Sequence, residues 1–322
     1  MTSLALAVDL GGTKIETALV DASGAIIAGS RHRAPTGRAA RREDLAGAVS
    51  HTVRQTLAEV PVDSTLAGAG IGSAGPITLD TGQISPKNLP ALADFDLRGA
   101  VAHELGGLPV QLRLDGTCIA VAEHWRGAAV GVANSMSMVV STGVGGGLII
   151  GGTLVSGRSG NAGHIGQIHV AGFGGDPADA ESTTLEAVAS GTGAVAWAQQ
   201  QGWSGTSGED LAASCAIGDT IAWQAVRRSA EAVGQAIAST TTLLDLDVVA
   251  IGGGFASVVP DYVDLVRAAA RRATVFDYAT AVQIRPALLG STAPLIGAAA
   301  LIHFPDMTSS TSPRTDEVMS HR

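Results

Sequence analysis

One pattern occurs twice along this chain and limits the folds open to it. Near the start, the apolar run 4–10 enters Gly11-Gly12-Thr13, and the run 15–20 leads to the turn Asp21-Ala22-Ser23-Gly24 and a further apolar run, 25–28. About 130 residues later, 137–140 enters Thr142-Gly143-Val144-Gly145-Gly146-Gly147. The run 148–150 follows, then the turn Gly151-Gly152 and 153–155. Each copy reads as strand, glycine-rich turn, strand, turn, strand. Two copies predict a duplicated domain whose hairpins face each other.

The intervening segments predict helices. Leu45, Val49, Val53 and Leu57 recur at helical spacing within 43–59, and 116–126 is alanine-rich. Further helices are expected over 185–200, 219–244 and 294–302, with a buried strand at 248–251 ending in Gly252-Gly253-Gly254. Strands alternating with helices imply an α/β protein, and 322 residues suit about two domains. The polar, Ser/Thr-rich stretch 305–322 is expected to be a disordered tail.

Composition excludes several classes. With 46% hydrophobic and only 15% charged residues, a largely disordered chain is ruled out. A net charge of -9 argues against a broad basic nucleic-acid surface. The arginines 31, 33, 38, 41 and 42 form the only basic concentration and read as a solvated face rather than an anion site. Two cysteines, Cys118 and Cys215, exclude a disulfide scaffold and a cysteine-rich metal site. No basic leader precedes Asp9 and no run of 18 apolar residues occurs, so a cytoplasmic protein without a membrane span is expected.

The glycine turns carry the chemistry. Without a Cβ, backbone N–H groups can approach an anion closely. In Asp9-Leu10-Gly11-Gly12-Thr13-Lys14 a carboxylate that could hold hydrated Mg2+ flanks a hydroxyl and an ammonium suited to phosphate; a tight turn with incidental polar neighbours is the alternative. The second loop, with Thr142 and Gly143, could do the same or form a bulged hairpin. The third, with Gly253 and Gly254, could admit a nucleotide or merely end its strand. The P-loop spacing is absent, and a strand-like segment rather than a long helix follows Gly147.

Together with Gly160-Asn161-Ala162-Gly163, Leu185-Glu186-Ala187-Val188-Ala189-Ser190-Gly191, Ile251-Gly252-Gly253-Gly254 and Ile296-Gly297-Ala298-Ala299, these loops resemble ROK proteins (repressor, open reading frame, kinase) over nearly the whole chain. The resemblance implies two actin-like, ribonuclease H-like α/β domains with a central cleft in which ATP phosphorylates a sugar hydroxyl. The expected division is 1–115 with about 295–304, and 116–294. A homodimer is expected. Sugar-responsive repressors of the family carry an N-terminal helix-turn-helix; with a first strand at Leu4, the kinase branch is expected instead.

Residue by residue, the resemblance places the catalytic base at Asp115, although an Asp at a helix start is also a common N-cap. It places Asp9, Gly11, Gly12, Thr13, Lys14, Thr142, Gly143, Gly253 and Gly254 on ATP. Gly75, Asn88, Leu114, Asp115, His164, Gln167 and Glu186 fall on the sugar side. Three of these depart from the family pattern: Leu114 replaces an Asn, His164 a Glu, and Gln167 a His that also ligates a structural zinc. The zinc's cysteine ligands have no counterpart in 171–185, so ATP and Mg2+ but no zinc are expected. Changed donors and acceptors alter sugar choice. An amino sugar, modified hexose or cyclitol is expected as acceptor rather than glucose, with His164 mostly neutral at pH 7. The alternatives are a glucokinase and, from another class, a catalytically silent sugar sensor.

Overall fold

The computed structural model describes residues 1–176 and 178–308. In the first half, β1 (Thr2–Leu10) and β2 (Lys14–Asp21) form the first hairpin, followed by β3 (His32–Pro35), α1 (Arg42–Ala58) and β4 (Ser64–Ser73). Short strands β5 (Ile77–Thr78), β6 (Gln83–Ile84) and β7 (Phe95–Asp96) make a separate small sheet before α2 (Leu97–Glu104) and β8 (Val110–Leu114). Then come α3 (Asp115–Arg126), β9 (Ser135–Val140), β10 (Val144–Ile150) and β11 (Thr153–Leu154). The helices α4 (Leu185–Ala189), α5 (Gly191–Gln200), α6 (Gly208–Ala216) and α7 (Thr220–Leu244) follow. The chain ends with β12 (Val248–Gly252), α8 (Tyr262–Ala273), α9 (Asp277–Thr280), β13 (Gln283–Pro286), α10 (Ala293–His303) and α11 (Pro305–Thr308).

The duplication read from the sequence is a duplication of topology. One five-stranded sheet runs β3-β2-β1-β4-β8, the other β11-β10-β9-β12-β13. In each, the first three strands in chain order are antiparallel neighbours and the last two join in parallel. Parallel neighbours need long crossovers, which α1, α2, α7 and α8 supply.

Helices α3 and α10 form the seam. α10 packs on β1 and β4 of the first sheet and against α3, while α3 packs on β9 and β10 of the second. Small side chains let them approach: Ala5, Ala7, Ala18, Cys118, Ala298 and Ala299 belong to one buried cluster. A Cβ on Gly297 would overlap the backbone carbonyl of Cys118, and one on Gly70 that of Ala298. Larger apolar cores lie to either side, one around Leu6, Val8 and Ile71, the other around Met138, Leu185 and Val233.

Four expectations change. The third strand of the first copy is His32–Pro35, not 25–28, where only Ile26 bridges Val20. The Ser30 hydroxyl takes the Leu19 N–H at 3.0 Å, a donor that a continuous third strand would use. The run Gly145–Gly147 lies inside β10 rather than in a turn. α3 crosses it backbone to backbone: a Cβ on Gly147 would lie 2.8 Å from the Gly116 carbonyl oxygen, and one on Gly116 2.6 Å from the Gly146 nitrogen. The stretch 185–200 is two helices, because Ser190 is extended (φ -64°, ψ 159°) and turns its hydroxyl to cap Gly193 N at 3.0 Å. Finally, 305–308 of the expected tail is helical, with Met307 against the cluster of Leu154 and Val121; 309–322 lies outside the described residues.

Candidate active site

The end of the first hairpin, the start of α3 and helix α4 place three carboxylates, Asp9, Asp115 and Glu186, in one field. Asp9 lies at the end of β1, paired in register with Glu16. Asp115 opens α3, where the helix N-terminus favours negative charge; its Oδ1 accepts from Gly116 N at 2.7 Å. Burial pushes the Asp115 carboxyl up to about 6, opposed by the Gly116 N–H and reinforced by Glu186. Burial pushes Asp9 up to about 7, with Asp115 adding to the rise and Lys14 and Arg31 opposing it. A carboxylate that must be ionised to take a proton is therefore silenced early on acidification. We expect kcat/KM to begin falling near pH 7, as Asp9 protonates, and to steepen below about 6; a pH–rate profile flat down to 5 would refute this.

Lys14 is not free at the loop. It pairs with the buried carboxylate of Glu16, which also engages Arg31 and, at 3.0 Å, Arg33. Burial alone would raise the Glu16 carboxyl, but its bonds to Arg31 and Lys14 outweigh that and hold it at about 2. Two of the five clustered arginines therefore belong to this network rather than to a solvated face. Glu16 was missed in the sequence. A lone acid two residues beyond Lys14 with several basic residues downstream was the available signal.

The second loop is the turn at Ser141, Thr142 and Gly143, closed by Ser141 N to Gly143 O at 2.9 Å. Glu186, on α4, holds its base: Oε2 accepts from Val144 N at 2.8 Å and Oε1 from Gln167 Nε2 at 3.3 Å. Next to this loop opens a cavity of about 500 Å3, lined by Thr142, Gly191, Gly254, Phe255 and Val258 among others, large enough for a nucleoside. Gly254 lines it. Gly253 does not; at φ 101° it packs on the end of β9, where a Cβ would overlap the Val140 carbonyl.

The sugar-side residues divide. Asn88 lays its amide over Gly12, so a predicted acceptor residue meets a predicted phosphate residue. Gly75 faces the side chain of Leu114. Leu114 itself is only 3% exposed and sits in the first apolar core, so it supplies no polar contact to a substrate. Burial pushes the half-buried His164 below the usual imidazole value, with the Glu186 charge pulling it back, so its surroundings favour the neutral ring. Asn161 was quoted in the sequence without a role. Its amide accepts from Ile77 N at 2.9 Å and donates to Ile77 O at 2.8 Å, fastening the loop after β11 to the small sheet.

The segment that the resemblance assigns to zinc does not fit the metal. His169 Nδ1 is bonded to the Thr183 hydroxyl at 2.7 Å. No cysteine lies in 171–185. Among the described residues no group of three or more His, Cys, Asp or Glu side chains is placed to hold a metal ion, whereas a structural site needs about four ligands.

The family model described as "ROK family" matches residues 5–304. The chain belongs to the ROK family. It is 36% identical over 252 residues to the N-acetylmannosamine kinase of Yersinia pestis (strain Pestoides F), covering 77% of this chain and 82% of that protein. Among solved structures, the ROK hexokinase from Thermus thermophilus superposes with a TM-score of 0.78 at 30% identity, covering 94% of this chain and 98% of that one. A ROK glucokinase from Streptomyces griseus, in complex with glucose and AMPPNP, gives 0.77 at 28% identity, with 93% and 99% covered. The fold of this ROK protein is accordingly the two-domain actin-like, ribonuclease H-like one. Among its described residues no helix is long and apolar enough to cross a membrane.

Proposed function

We propose that this ROK protein is an ATP-dependent kinase that phosphorylates a hydroxyl, the primary one, of an amino sugar, with modified hexoses and cyclitols as the related acceptors. The observation that carries this is the buried Asp115 at the start of α3, in the field of Glu186 and close enough to raise Asp9, with Glu186 also gripping the second glycine hairpin, whose loop borders a nucleoside-sized cavity. A carboxylate with a raised pKa suits a general base near neutral pH. The 36% identity to an N-acetylmannosamine kinase supports an amino sugar, and the likeness to a glucose-bound glucokinase supports glucose as the competing acceptor.

The roles follow from position. Asp115 accepts the acceptor's hydroxyl proton. Gly11, Gly12, Thr13, Thr142 and Gly143 receive phosphate oxygens, joined by Lys14 when its ammonium turns from Glu16, and Gly254 borders the nucleoside while Gly253 fixes the strand end beside it. A nucleotide-borne Mg2+, which neutralises developing phosphate charge, would be met by Asp9, whose buried carboxylate a cation would return to its ionised form. Gly75, Asn88, His164, Gln167 and Glu186 face the sugar, behind a wall that includes Leu114. A neutral His164 accepts a hydrogen bond where a carboxylate would carry charge. The lobes, 1–115 with 295–304 and 116–294, close on the substrates and exclude water. We place the protein in the cytoplasm as a homodimer that binds no nucleic acid and carries no structural zinc.

The test is a kinase screen with ATP over glucose, N-acetylmannosamine, free and acetylated amino hexoses, and cyclitols. We expect one amino sugar to exceed glucose in kcat/KM by about tenfold or more, the scale set by a changed polar pocket. Glucose as the far better acceptor would refute the altered-pocket reading. Sugar binding without ATP turnover would make the protein a sensor.

A further inference from the structure

We propose that Arg228 is a positioning residue that ties the loop after His169 to α4 and so holds Glu186 in place for the acceptor. The part concerning the acceptor rests on the proposed kinase function; the tie does not. Arg228 lies on α7 and reaches two segments far from it in sequence. Nη1 donates to the Val188 carbonyl at 3.0 Å and Nη2 to the Phe173 carbonyl at 2.8 Å. The rings of Phe173 and Trp197 each lie 5.7 Å from the guanidinium carbon. The half-buried cation is thus bonded at its edge to two carbonyls and stacked against two rings, a set that suits a planar fork and not an ammonium.

The need for such a tie comes from α4. A helix of five residues has no stability of its own. Its N-terminus is capped by the Thr184 hydroxyl on Ala187 N at 3.2 Å. At its C-terminus, adjacent residues of α7 take the last two carbonyls: Arg228 bonds Val188, and the Ser229 hydroxyl bonds Ala189 at 2.6 Å. Glu186 sits between these ends and grips Val144 N and Gln167. The loop that Arg228 holds through Phe173 is continuous with the ladder 168–170 against 183–185, where Leu185 N meets Ile168 O at 2.8 Å and Val170 N meets Thr183 O at 3.0 Å. This is the segment for which zinc donors are missing. One guanidinium binds the loop and the helix together.

The experiment compares wild type with Arg228→Lys, Arg228→Met and, as a milder variant that keeps the guanidinium, Phe173→Leu. Hydrogen exchange over 168–189 is measured without ligand, and steady-state kinetics with ATP and the best acceptor of the screen. We expect faster exchange in this segment but not in α1, a rise in acceptor KM of about tenfold or more for both Arg228 variants, an ATP KM within about twofold, and Phe173→Leu in between. Lys should rescue nothing, since it keeps the charge and loses the fork. Wild-type exchange and acceptor KM in Arg228→Lys would overturn the proposal. So would a parallel loss of acceptor affinity, ATP affinity and melting temperature, the mark of general destabilisation. If wild type phosphorylates no sugar, the kinase reading fails, while the exchange data alone still decide whether Arg228 ties the segment.

Discussion

Replacing Asp115 by Asn is expected to lower kcat by about 10³-fold, the usual weight of a positioned general base, and at the same time to raise the melting temperature at pH 8. The amide keeps the side chain's shape and can still accept from Gly116 N, a 2.7 Å bond in the wild type. It cannot take a proton. The stability gain has a separate origin. Burial raises the Asp115 carboxyl from 3.8 to about 6, so the folded chain holds this proton more tightly than the unfolded one. Stability from this group is therefore greatest at low pH and is lost as pH rises from about 4 through 6. Above that range the buried charge costs roughly 3 kcal/mol, of which Asn recovers a part. Activity assays and thermal melts on the same preparation read both effects. Turnover within tenfold of wild type would remove Asp115 as the base, and a lowered melting temperature at pH 8 would remove the strain.

Gly297→Ala should, with Gly70→Ala, be among the most damaging single methyls in the described residues. Its Cβ would overlap the Cys118 backbone carbonyl, and no side chain can swing away to make room. Overpacking of this kind costs about 3 kcal/mol when the structure must shift, and here the shift is between α10 and α3, the helix that Asp115 opens. Loss of activity should therefore run ahead of unfolding. Gly47 on α1 is the control: a Cβ there meets nothing within 4 Å, and Ala should stabilise by about 1 kcal/mol through helix propensity. A Gly297→Ala protein that melts like wild type would mean that the seam is looser than its geometry.

The parts of this fold that were legible in the sequence are those in which local pattern and tertiary role agree. The first hairpin, α1 and the helix opened by Asp115 have their apolar periodicity and their turn residues in agreement. Elements that disagree with local propensity were illegible. β4 carries Gly68, Gly70 and Gly72, residues that weaken a strand, yet it lies inside the sheet between β1 and β8, with α10 close enough to exclude a Cβ at Gly70. A close helix likewise explains Gly147 inside β10, where α3 leaves no room for a Cβ. Ser190 breaks a continuous apolar helix pattern only because its backbone is extended at a junction of two caps. In the site, the resemblance supplied Asp115, Glu186 and the loops, while the Lys14–Glu16–Arg31–Arg33 network joins side chains across strand register that one-dimensional spacing does not display. Arg228 was invisible for the same reason, since its partners are 40 and 55 positions away.

Glu186 answers to two masters. One oxygen holds the Val144 N–H beside the second glycine loop, the other the Gln167 amide, so the two are tied to one carboxylate. A sugar that draws on Gln167 would draw on the carboxylate that also holds Val144 N. Any coupling that results would be reciprocal, the nucleotide changing the sugar's affinity by the factor by which the sugar changes the nucleotide's. If both occupants bind as proposed, they meet through this one carboxylate.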